Sequence, residues 1–154
     1  MKKVIFPLMA ASLIGFILGQ FMFNQYNSKS NITTVFSEKG EKVYFLQQGV
    51  YSSKESMEEN TASFNSYIYD LIDDKYYVYV GLTMMKENIE KLQGYFEDMG
   101  YIIYVKEFNI DNIEFLESLT NYDKMLSNTE SKQTIKTLIN QVLSKYEELV
   151  QNDN

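Results

Sequence analysis

Tyr67 to Leu82 reads YIYDLIDDKYYVYVGL, and its two halves decide the fold. Tyr67–Ile72 and Tyr76–Leu82 are crowded with tyrosine, valine and isoleucine, which suit a pleated, half-buried surface. Asp73, Asp74 and Lys75 break the run with a polar step short enough for a hairpin turn, so the stretch predicts two antiparallel strands. Upstream, Val43–Tyr51 (VYFLQQGVY) is a further strand-like run, and Ser52 with Glu55 has capping-box spacing for a helix over about 53–64. Downstream, Thr83 is a plausible N-cap. Met85, Ile89, Leu92, Phe96 and Met99 follow at helical spacing up to Gly100, a residue suited to end a helix. Tyr101–Phe108 (YIIYVKEF) supplies the last strand. The order β, α, β, β, α, β predicts an α+β domain over 43–108, a ferredoxin-like four-stranded antiparallel sheet with two helices on one face and the other face uncovered.

Two segments flank this module. Val4–Phe23 (VIFPLMAASLIGFILGQFMF) carries no charge, and its length matches the ~20 residues that cross ~30 Å of hydrocarbon. Lys2 and Lys3 precede it without a positive cluster close behind, so residues 1–24 are expected to be a cytoplasmic N-terminus and a single-pass membrane anchor, with the rest outside the cell membrane. Gln20, Phe21, Met22 and Phe23 are too bulky for a signal-peptide cleavage site, which favours an uncleaved anchor. Residues 25–42 are polar and read as a tether. Beyond the module, 109–154 is expected to form a C-terminal helical hairpin: Asp111 and Glu114 open one helix, and Asn128 or Thr129 opens another. The latter carries Ile135, Leu138, Ile139, Val142, Leu143, Tyr146, Leu149 and Val150 as a wide apolar stripe. That stripe either packs on its own domain or serves self-association or an envelope protein partner.

Composition narrows the function. There is no histidine and no cysteine, which removes the usual routes to general-base catalysis, thiolate chemistry and transition-metal binding, and no cofactor motif stands in their place. Adjacent acids such as Glu58–Glu59 and Glu97–Asp98 point to different sides of their elements and form no acid/base pair, so no enzyme is expected. Every basic residue is a lysine, and Asn24–Asn154 holds 12 lysines against 21 acids. Nucleic acid and anionic lipid should repel such a domain, although RNA-recognition modules share its element order. The conspicuous enrichment is aromatic, with 13 tyrosines and 10 phenylalanines. On an uncovered sheet face Tyr77, Tyr79 and Tyr104 would form a platform, flanked by Lys75, Lys106 and the Gln47 amide. Gln48 falls among the inward-facing Leu46 and Val50, so it needs a buried partner or a strand irregularity.

These residues resemble the SPOR domain, a peptidoglycan-binding module of bacterial cell-division and sporulation proteins. Leu46, Gln47, Gln48, Gly49, Val50 and Tyr51 match its first-strand pattern at four of six places, and Val78–Leu82 (VYVGL) matches the end of its third strand. The resemblance covers about 42–108. It implies non-catalytic binding of peptidoglycan glycan strands lacking stem peptides, at the division septum, in sporulation or in wall remodelling, through Gln47, Gly49, Lys75, Tyr77, Tyr79, Tyr104 and Lys106. Tyr77 departs from the family, in which an arginine is frequent; tyrosine can stack on a sugar but lacks the bidentate charge.

Overall fold

The structure is a computed structural model that describes residues 36–152. It is α+β. The elements run β1 (Phe36–Tyr51), α1 (Lys54–Thr61), β2 (Ile68–Ile72), β3 (Lys75–Thr83), α2 (Lys86–Glu97), β4 (Tyr104–Ile110), α3 (Ile113–Ser127) and α4 (Lys132–Asn152). The four strands form one antiparallel sheet in the order β2-β3-β1-β4. Among the described residues no helix is long and apolar enough to cross a membrane; the anchor expected over 4–23 lies outside them.

Local chemistry explains the element ends. Asp73 and Asp74 both take positive φ, 49° and 58°, giving a two-residue turn whose twist matches the strands it joins, and Lys75 already pairs with Ile72. Ser53, rather than Ser52, caps α1 by accepting from the Ser56 N–H at 3.2 Å. Asn112, rather than Asp111, caps α3 by accepting from the Phe115 N–H at 2.9 Å. Gly100 follows α2 with φ 88°, as expected of a helix stop. β1 reaches back into the stretch read as tether, because Glu41 and Lys42 pair with Ile110 and Asn109. Gly40 permits that approach: a Cβ there would lie 2.3 Å from the Ile110 carbonyl carbon.

Residues 45 and 46 are neighbours in a strand and point to opposite faces. On one face, a Cβ at Gly81 would meet Leu46 and Leu92, so α2 lies there, and Phe64 from the α1–β2 loop packs on Phe96 of the same helix. On the other, the Phe45 ring meets Tyr79, Phe108 and Tyr146 edge-on at centroid distances of 5.3, 4.8 and 5.5 Å, and Tyr146 also packs on Phe115. The C-terminal hairpin therefore covers the face expected to be open. Helices lie on both sides of the sheet, and the whole stripe from Ile135 to Val150 is buried within its own chain.

Two irregularities fix which residues reach each face. Between β1 and β3 the register shifts on both sides of Gln47, leaving Val80 and Gln48 as extra residues. Gln48 is accordingly half-buried, and its Oε1 accepts from the Tyr51 hydroxyl at 2.8 Å. The same shift turns Val50 from its expected core position to one opposite Tyr77, where it is exposed.

Candidate functional site

What remains uncovered on the Phe45 face is the end where β1 finishes and β4 begins. Antiparallel partners share a face, so Tyr104 stands opposite Gln47, and Lys106 stands opposite Phe45. Tyr104 is 60% exposed, Lys106 is exposed, and Gln47 is buried beside them at 7%. The Gln47 Oε1 has no hydrogen-bond partner among the described residues. A buried amide oxygen without a donor costs about 1–3 kcal/mol. Val50 and the half-buried Tyr77 flank this strip across β1 and β3, and the strongly exposed Ile102 precedes it in the chain.

The structure thus brings together Gln47, Tyr104 and Lys106, with Tyr77 alongside; Gly49 pairs with Val78 and belongs to the opposite face. Gly49 follows the extra residue Gln48, and a Cβ on it would fall 2.6 Å from the Tyr51 hydroxyl oxygen. Lys75 is exposed but sits at the β2–β3 turn, where β3 begins, and pairs with Ile72 rather than with β1. Tyr79 does not join a platform. It is buried at 2%, edge-on to Phe45, and its phenol is pushed up to about 12 by desolvation, then by Asp70 and Tyr77. Strand alternation does place Tyr79 on the Phe45 face; the cover comes from α4, far along the chain, and alternation carries no signal for that. Val50 and Ile102 were missed, Val50 because its exposure depends on the extra residue at Gln48.

At the end of β3, away from this strip, the hairpin is latched by a buried carboxylate. Asp123 of α3 accepts from the Met84 N–H at 2.7 Å, from Asn88 Nδ2 at 3.0 Å and from the Thr83 hydroxyl. The N-cap residue Met85 makes no side-chain cap bond, and the Asn88 N–H donates to the Met85 carbonyl at 3.1 Å; Asp123 instead grips the chain just before α2 and the side-chain amide of Asn88. Desolvation raises the Asp123 pKa above the usual carboxylate value, and the hydrogen bonds from Thr83, Met84 and Asn88 oppose it. Lys91 completes the latch: its ammonium donates to the carbonyls of Leu126, Ser127 and Thr129 at 2.8–3.2 Å, satisfying the end of α3. These groups are spent on holding helices together. Among the described residues no group of three or more acids is arranged to hold a metal ion. Compared with known proteins, the chain matches no family model, no curated protein and no solved structure.

Proposed function

We propose that this protein binds peptidoglycan glycan strands without catalysis, held at the cell membrane by the apolar segment 4–23, and that it does so through the uncovered end of its sheet. The observation that carries the reading is Tyr104, an exposed ring directly opposite a buried glutamine amide whose oxygen has no partner, with an ammonium at Lys106 on the same edge strand. Sugars present an apolar ring face ringed by hydroxyls, and are held by an aromatic surface with a few oriented amides. The resemblance to the SPOR domain points to the same ligand, since Gln47 falls on that family's first-strand glutamine. The site is smaller than the resemblance implies, because Tyr79 is lost to the core and Lys75 stands apart. The rival reading, a tethered adaptor gripping an envelope protein with its C-terminal helices, needs an apolar stripe that is buried inside the chain.

Residues 24–154 should co-sediment with amidase-treated peptidoglycan, and Tyr104→Ala should weaken this by about tenfold. Lys106→Ala should weaken it less. Retention unchanged in both variants would remove the strip from consideration.

A further inference from the structure

A second site lies on the other flank of the molecule. Between the α1–β2 loop, α2 and α4 there is a cleft of about 70 Å³, floored by Val80, Phe96 and Ile139, all buried. Asn65, Tyr95, Lys136 and Asn140 stand around it. None of these four side chains makes a hydrogen bond or ion pair with another described residue. Of the other lysines, Lys91 and Lys132 are each held by a carboxylate, at 3.0 Å from Glu130 and 2.8 Å from Asp98, and Lys145 on the same helix as Lys136 is held by Glu114 at 3.1 Å.

We propose that this cleft binds a small organic carboxylate bearing a short apolar arm, either as a free acid or as the carboxyl end of a peptide. The ammonium of Lys136 supplies the charge, in a chain whose formal net charge is −7 and which otherwise repels anions. The amides of Asn65 and Asn140 and the phenol of Tyr95 supply further donors, and burial keeps that phenol protonated. The apolar arm rests on Val80, Phe96 and Ile139. Size sets the scale: 70 Å³ holds roughly five water-sized groups at ~10–15 Å³ each, the heavy-atom count of propionate. The inference is independent of the glycan reading. It also gives the C-terminal hairpin a role, because Lys136, Ile139 and Asn140 come from α4 and the other wall comes from the sheet domain. A ligand there bridges the two and must stabilise the docked hairpin.

The test is a nuclear magnetic resonance titration of the full-length chain in detergent micelles with propionate, N-acetyl-glycyl-alanine and uncharged propionamide. Propionate, the dipeptide or both should shift the Asn65 and Asn140 side-chain amide signals saturably, and propionamide should bind about tenfold more weakly for want of a charge-assisted bond. Lys136→Gln should erase the preference for acid over amide, and Asn140→Leu should weaken binding while the spectrum stays that of a folded chain. Tighter binding of the dipeptide identifies a peptide end as the ligand; equal or tighter binding of propionate identifies a free acid. Absence of saturable shifts with both acids overturns the proposal, as does a Lys136→Gln chain that keeps the preference.

Discussion

The two faces of the sheet are covered by different means. On the Leu46 face the cover is local in sequence and mostly apolar: α2 follows β3 directly, and Leu92 lies over Leu46 where Gly81 leaves room. On the Phe45 face the cover comes from the end of the chain, is built of rings, and encloses polar groups. The Tyr146 hydroxyl is buried there without a hydrogen-bond partner among the described residues, and burial, then Asp70 and Tyr79, pushes its pKa far up. A face closed by distant helices needs a latch, and Asp123 with Lys91 provides one at the turn into α2. Apolar burial can thus close either face, but only the remote cover carries polar groups that leave part of its free energy unrealised.

Ending the chain after Ile110 tests this contrast most severely. Val43, Phe45, Tyr79, Leu82 and Phe108 would lose their cover together, so the truncated chain should bind a hydrophobic dye and show no cooperative urea transition. A cooperative transition would mean that the sheet and its first two helices fold alone. Next in size, Tyr146→Ala should cost about 3–5 kcal/mol in urea unfolding, since it empties a site bordered by Phe45 and Phe115.

Asp123→Ala should cost roughly 2–3 kcal/mol, because the Met84 N–H is left without an acceptor, while Thr83 and Asn88 lose the carboxylate and keep only backbone carbonyls. Asp123 also sets a pH signature. Its folded pKa is raised, so the folded state binds its proton more tightly than the unfolded chain does. The contribution of this group to stability is full below the unfolded value near 3.8 and is lost as pH rises through the folded value. Urea midpoints of the wild type relative to Asp123→Asn should therefore fall as pH rises across that interval. A relative midpoint that rises with pH would show surroundings that favour the charged form. The smallest effect expected is a gain: Tyr146→Phe removes a buried hydroxyl without a partner and should stabilise by up to about 1 kcal/mol. A loss of that size would reveal a partner for the hydroxyl.

Much of the fold was legible because its signals are local. The Asp73–Asp74 turn, the stop at Gly100 and the apolar periodicity of α2 and α4 each lie within a few residues and stand where the sequence placed them, but the helix starts shift: by one residue at Ser53 and Asn112, and by more at α2, capped by Met85 rather than Thr83, and at α4, which begins at Lys132 rather than after Thr129. The site was legible only in part. Tyr104 and Lys106 follow from alternation in β4, which has no register shift against Val43–Gln47. Tyr79 and Val50 do not, one because a remote helix covers it and the other because an extra residue reverses the alternation beside it.

By itself, then, the sequence determined the order of strands and helices, the absence of histidine and cysteine chemistry, and the stripe by which the last helix had to be buried. Those properties depend on residue type and on spacing along the chain. The tertiary structure alone decided where that stripe docks, which tyrosines it hides, and which side chains meet around the cleft at Lys136. Both faces of the sheet are apolar enough to receive a helix. The choice between them rests on register shifts at Val80 and Gln48 and on a latch between residues 83 and 123, far apart in sequence and adjacent only after folding.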